Sequence, residues 1–180
     1  ETAPALTTNR YHEREGGSVV KPIEGVSLKI APDGEILAKG PNVFGGYWDN
    51  KEKTNEVFTE GWLKTGDIGF FDHKGYLHVK GRKKFMIVLS SGEKVYGEDV
   101  ESELNGEEGV LDSAVVGLKK AQTEEVHAVL LLKKDSRADP KEIVARVNKR
   151  LLPYQRIQGF SIWPHEDFPR TPTRKLKKHE

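Results

Sequence analysis

The chain has 180 residues, 32% of them charged, a formal net charge of +1 and no cysteine. Disulfides and thiolate metal sites are therefore excluded, and so near neutral a balance gives no global field for holding nucleic acid or an anionic membrane. No apolar run reaches the ~20 residues of a bilayer span, no signal peptide is visible, and the length suits one domain or two small ones. A cysteine-free chain fits a reducing, cytoplasmic setting. The chain starts at Glu1, with Thr, Ala and Pro directly after it and no Met, and so reads as a piece of a longer protein.

In chain order, Val26-Ser-Leu-Lys-Ile30 and Glu35-Ile-Leu-Ala-Lys39 alternate around Pro32-Asp-Gly34, which predicts a hairpin. A loop follows through Gly40-Pro-Asn-Val-Phe-Gly-Gly-Tyr47, then a helical turn or two between Asp49 and Phe58. Gly69-Phe-Phe-Asp72 and Tyr76-Leu-His-Val-Lys80 flank His73-Lys-Gly75 as a second hairpin. This β-rich first part suits a small barrel or an open sheet. The composition changes at Arg82-Lys-Lys84. Phe85-Met-Ile-Val-Leu89 reads as a strand returning through Lys94-Val-Tyr96, Glu98 to Leu104 as a helix, and Ser113–Leu118 and Val126–Leu132 as buried strands. The clearest helix runs from Pro140 to Leu151, with Ile143, Val144, Val147 and Leu151 as its apolar stripe and Pro153 as its stop. Ser161-Ile-Trp163 closes the order as a last strand before a charged tail, giving a compact α+β unit.

The candidate site residues are few. Asp67 ends Gly61-Trp-Leu-Lys-Thr-Gly-Asp67 where a strand pattern begins, and Arg82 follows Gly81 fifteen residues later. A carboxylate there can accept hydrogen bonds from two ribose hydroxyls, and a guanidinium can reach the same sugar or a phosphate. Taken alone, a turn aspartate capping its own backbone and a solvated surface cation account for them better. Lys175 stands in Pro169-Arg-Thr-Pro-Thr-Arg-Lys-Leu176, where two prolines keep the segment extended. A compact ammonium on such an arm could stabilise charge at phosphorus as a carboxylate displaces pyrophosphate. A basic, disordered terminus carrying Lys177-Lys178 is the competing reading. His12, His73, His78, His127, His165 and His179 show no metal-ligand spacing, and no phosphate-cradling glycine loop is present. Trp163 and the Phe and Tyr residues of the hairpins read as core.

Together these segments resemble the C-terminal portion of the adenylate-forming superfamily, in particular the long-chain fatty-acid–CoA ligases. The resemblance runs through Glu1-Thr-Ala-Pro4, Gly34-Glu-Ile-Leu37, Gly40-Pro-Asn-Val43, Gly46-Tyr47, Gly61–Asp67, Gly81-Arg-Lys-Lys84, Ile87–Tyr96 with Glu101, and Pro169–Lys175. Each segment is weak alone; their order and spacing are specific. The resemblance implies an α+β architecture. Residues 1–84 would form the C-terminal β-subdomain of a large adenylating domain, a small distorted barrel ending at a hinge. Residues 85–180 would form the mobile α+β C-terminal domain.

The implied reaction joins a fatty acid to coenzyme A in two halves, with ATP and CoA as co-substrates and Mg2+ as cofactor. By resemblance Asp67 holds the ribose diol, Arg82 contacts ribose or phosphate, Lys84 is the hinge, and Lys175 is the catalytic lysine of the first half-reaction. Gly92 would face the CoA tunnel, and Glu1 would be the magnesium-associated carboxylate. The phosphate loop and acyl pocket would lie before Glu1, in a missing N-terminal domain, so the 180 residues alone are expected to be inactive. Peripheral membrane association and homodimerisation stay open; nucleic acid is not an expected partner. Two positions depart from the common pattern, which has Gly where Arg174 and Val20 stand. An adenylating module that loads a carrier protein, and a non-catalytic interaction module with a basic tail, remain the alternatives.

Overall fold

Short-range turn chemistry sets the first hairpin, and β-pairing then extends it into a sheet. The computed structural model describes residues 1–8, 17–19, 21–120 and 123–178. His12, Val20 and His179 lie outside them. The chain divides into two compact units, Glu1–Lys84 and Phe85–Glu180.

In the first unit, β1 (Thr7–Thr8) pairs antiparallel with β2 (Lys21–Pro22). β3 (Ser27–Ile30) and β4 (Glu35–Lys39) form the predicted hairpin, with Ile30 opposite Ile36. Asp33 Oδ1 accepts the Glu35 N–H at 3.2 Å and fastens the turn. Helix α1 (Lys51–Val57) starts at Asn50, whose side chain accepts the Lys53 N–H at 2.9 Å. Then come β5 (Phe58–Thr59), β6 (Trp62–Phe71) and β7 (Leu77–Arg82). β6 is the spine of the sheet. It pairs with β4 along one side, and with β5 and then β7 along the other. Of the two architectures the sequence allows, this is the open sheet rather than a closed barrel. Its buried side chains include Ile36, Leu37, Leu63, Ile68 and Leu77, each stabilising the fold by about 1.5–3 kcal/mol, and β4 is buried on both faces. A bulge between Ile68 and Gly69 brings β7 close; a Cβ on Gly69 would lie 2.4 Å from the His78 carbonyl oxygen.

A 3₁₀ turn over Lys83–Phe85 carries the chain across the boundary, and the second unit begins with a small ladder of β8 (Met86–Val88) and β9 (Lys94–Tyr96). Helix α2 (Gly97–Asn105) buries Val100 and Leu104. The long strands β10 (Val110–Lys120) and β11 (Thr123–Leu132) are antiparallel, and β12 (Gly159–Ile162) adds parallel to β11. The parallel addition requires a crossover, which helix α3 (Pro140–Arg150) provides. Asp139 caps α3, Pro140 occupies its first turn, and Ile143, Val144 and Val147 bury the expected stripe. The core also takes in Ile87, Val95, Val115, Val126 and Leu130. Glu107 is gripped by Arg146 and Arg150 at 2.8 Å each. Burial pushes the Glu107 carboxyl upward, but the bonds from the two arginines outweigh it and hold it below its ordinary value.

Three expectations change. The strand holding Asp67 begins at Trp62, so Asp67 sits within a ten-residue strand and not at its start; pairing with β4 and β5 supplies the ladder that the glycine-rich sequence hides. The tail is not extended: Arg170 and Leu176 bridge, and the chain turns tightly between them. Not every hairpin aromatic is core, since Phe70 is 42% exposed; it stacks on the His78 ring at 4.9 Å between centroids instead. Trp163 packs against the small cluster of Ala114, Leu131 and Phe168, as expected of core. Among the described residues, no helix is long and apolar enough to cross a membrane.

Candidate functional site

Asp67 and Arg82 are direct cross-strand partners on β6 and β7. The Arg82 Nε donates to Asp67 Oδ1 at 2.9 Å, with the two side chains 46% and 34% exposed respectively, so the pair stays open to a ligand. One guanidinium nitrogen of Arg82 also donates to the Thr65 carbonyl at 3.1 Å. Gly66 between them has φ +72°, and a Cβ there would come within 3.3 Å of the Arg82 guanidinium. A side chain at 66 would thus be strained and would crowd the arginine. Thr65 Oγ1 donates to the Ile36 carbonyl at 2.8 Å and accepts the Asp67 N–H at 3.1 Å, which locks the loop-like sequence Thr-Gly-Asp into the ladder.

Beneath this pair lies a carboxylate that the sequence reading treats only as part of a strand. Glu35 is 4% exposed. Its Oε1 accepts the Gly66 N–H at 2.9 Å and its Oε2 the Lys83 ammonium at 2.8 Å; Lys83 also reaches Asp33 at 2.7 Å. The hydrogen bond from Lys83 is the main reason that Asp33 titrates below its ordinary value, and the bonds to Asp33 and then Glu35 raise Lys83. This cluster holds Gly66 from below and fixes the backbone that presents Asp67. The signal for it was a charge inside an apolar strand, at Gly34-Glu-Ile-Leu37.

The other predicted residues are spread over the chain. Lys84 is exposed in the 3₁₀ turn at the last position of the first unit. Gly92 has φ +88° in the turn joining β8 and β9, and no atom lies within 4 Å of the Cβ it lacks. Its backbone conformation alone favours glycine. Glu1 accepts a short hydrogen bond from the Tyr47 hydroxyl, which pushes the phenol's pKa up. Among the described residues, no group of three or more His, Asp or Glu could hold a metal by itself. Glu1 alone therefore makes no metal site, and a magnesium ion there would need most of its oxygen ligands from elsewhere.

Lys175 is exposed on a hairpin closed by backbone and side chain together. The Lys175 N–H donates to Thr171 Oγ1 at 3.0 Å, the Thr171 N–H to the Lys175 carbonyl at 2.8 Å, and the Lys177 N–H to the Pro169 carbonyl at 2.9 Å. Arg174 has φ +61° at the turn. That left-handed conformation gives the glycine of the common pattern a physical reason, and arginine adopts it here at some strain. Asp67 and Arg82 are thus brought together, within the first unit, while Lys175 belongs to the second.

Residues 99–175 match the family described as AMP-binding enzyme C-terminal domain. The chain is 42% identical over 117 residues to a long-chain-fatty-acid–CoA ligase of Mycobacterium bovis, covering 65% of this chain and 20% of that protein. It is 33% identical over 171 residues to a long-chain-fatty-acid–CoA ligase of Bacillus subtilis, covering 94% and 29%. Among solved structures, O-succinylbenzoate coenzyme A synthetase from Bacillus subtilis in complex with AMP matches with a TM-score of 0.88 at 30% identity, covering 100% of this chain and 38% of that one. The chain thus spans from a fifth to under two fifths of the proteins it matches. It belongs to the adenylate-forming superfamily, and residues 99–175 match its AMP-binding enzyme C-terminal domain.

Proposed function

We propose that these 180 residues are part of an ATP-dependent long-chain fatty-acid–CoA ligase. In the first half-reaction a carboxylate oxygen attacks the α-phosphorus of MgATP, and pyrophosphate leaves to give the acyl-adenylate. In the second, the CoA thiol loses its proton and attacks the acyl carbon, and AMP leaves as the thioester forms. The observation that supports this most is the exposed Asp67–Arg82 pair, 2.9 Å apart and held on paired strands. Its carboxylate suits a ribose diol and its guanidinium suits ribose or phosphate oxygen. Lys175 brings an ammonium to the developing charge, Lys84 absorbs the backbone rotation between half-reactions, Gly92 borders the CoA tunnel, and Glu1 meets the nucleotide-borne magnesium.

The loop that cradles the phosphates and the acyl pocket we assign to the remainder of the enzyme, given the share of the relatives that this chain spans. The long-chain acyl class rests on the two ligases matched by sequence, and the succinylbenzoate enzyme is the competing class. The test is fatty-acid-dependent pyrophosphate release by the full-length enzyme, with long-chain acids compared against succinylbenzoate. The reading requires turnover with the long-chain acids, and preference for succinylbenzoate would overturn the acyl assignment. The 180-residue chain by itself should release no pyrophosphate; release from it would overturn the division of labour.

A further inference from the structure

The tail that presents Lys175 is fastened by side chains on both flanks. On one side Arg170 donates to Asp112 Oδ2 on β10 at 2.5 Å and to Asp167 at 3.0 Å. On the other, Lys178 turns inward. Its side chain is 8% exposed, and its Nζ lies 2.7 Å from Glu101 Oε1 and 3.8 Å from Glu98 Oε1, both on α2. The same ammonium stands 5.3 Å from the centroid of the Phe85 ring, and Phe85 directly follows Lys84. Glu101 accepts the Val115 N–H at 2.6 Å, which ties the pair to β10 as well.

Gly97 makes room for this arrangement. A Cβ there would lie 2.9 Å from the Val115 carbonyl oxygen and 3.5 Å from the Lys178 Nζ. The short approach to Glu101 and the Phe85 face together hold the ammonium. Burying an ammonium is costly, and nothing in a merely solvated basic tail would call for it. Lys175 and Lys177 on the same segment are exposed. Lys178 also lies beyond the residues that match the AMP-binding enzyme C-terminal domain.

We infer that Lys178, held by Glu101 and Phe85, is a positioning residue that sets where the hairpin presents Lys175. It acts through Lys175 and touches no substrate. The inference rests on the proposed role of Lys175 in adenylate formation. With Arg170 and Lys178 both anchored, the hairpin travels with its unit as one piece, and Lys175 arrives at a fixed place.

The experiment uses the full-length enzyme with K178M, K178R, the double variant K178M/E101Q, and K175A in parallel. Each half-reaction is measured separately. K178M should lower kcat for adenylation about tenfold, as expected for a misplaced catalytic group. KM for ATP should stay within about twofold, and thioester formation from preformed acyl-adenylate should be unchanged. K178R should restore most of the lost kcat. K178M/E101Q leaves no orphaned buried carboxylate, so it keeps the fold and should show the same split if K178M alone fails to fold. Equal loss in both half-reactions, or no rescue by K178R, would mean a merely structural role and overturn the proposal. If K175A suppresses adenylation but K178M and the double variant do not, the anchor is wrong and the role of Lys175 stands. If K175A spares adenylation, the underlying reading fails and takes this inference with it.

Discussion

Two lysine–carboxylate anchors, one in each unit, are built in opposite ways. Lys83 sits 42% exposed between Asp33 and Glu35 and steadies a strand whose register already fixes Asp67. Lys178 is 8% exposed against Glu101 and steadies a hairpin that belongs to no sheet. A residue in a ladder inherits its position from backbone hydrogen bonds, and the half-exposed Lys83 reinforces it through the buried Glu35 that holds Gly66. A residue on an irregular tail has no ladder, so its position depends on the buried side chains around it. The contrast explains why one lysine remains wet and the other is taken inside.

The largest effect should come from the hairpin. In the full-length enzyme K175A should slow adenylate formation by about a hundredfold to a thousandfold, the scale of losing one preorganised charge at the reacting centre. Thioester formation from preformed acyl-adenylate should change little, and separate assays of the two half-reactions decide it. Next is the ladder side. D67A should weaken AMP binding by about tenfold to a hundredfold, from the loss of hydrogen bonds between a carboxylate and two hydroxyls. Calorimetric titration of the full-length enzyme measures it, and unchanged affinity would detach Asp67 from the nucleotide.

A smaller effect tests the ladder itself. G69A places a Cβ 2.4 Å from the His78 carbonyl oxygen and 2.8 Å from Ile36 Cδ1. It should cost about 1–3 kcal/mol of stability, read from denaturant unfolding of the 180-residue chain, with the midpoint shifting and the slope unchanged.

The smallest effect contrasts the two anchors by pH. Asp33 is lowered below 3.8, first by the hydrogen bond from Lys83. Its contribution is present above 3.8 and is lost as pH falls through the lowered value. Glu101 is raised above 4.5, first by burial, against the pull of Lys178. The folded state keeps that proton longer than the unfolded one, so stability declines as pH rises from 4.5 through the raised value. In unfolding midpoints followed across pH, D33N should remove part of the loss below 3.8, and E101Q should remove the decline above 4.5. The opposite slopes in one protein are the signature sought.

Much of the architecture is legible in the residues themselves. Turn residues at Pro32-Asp-Gly34, the alternation around them, and the helical stripe of Ile143, Val144 and Val147 are local signals, and they appear where expected. Asp67 and Arg82 were legible as motif residues, but their direct pairing was not, because it depends on a bulge at Ile68–Gly69 that sets the register of β7. Glu35 and Lys178 were harder still, since a charged side chain reads as solvated unless its surroundings are known.

From its residues alone, the chain determined its turns, its helices, its family and the identity of the candidate groups. Those rest on interactions within a few residues, or on motif order along the chain. Only the tertiary structure decided which charges are buried and what each one fastens. Glu35 meets Gly66 from thirty-one residues away, and Lys178 meets Glu101 from seventy-seven. Such partners come together only when the sheet and helix between them have formed, and desolvation then makes their charges structural.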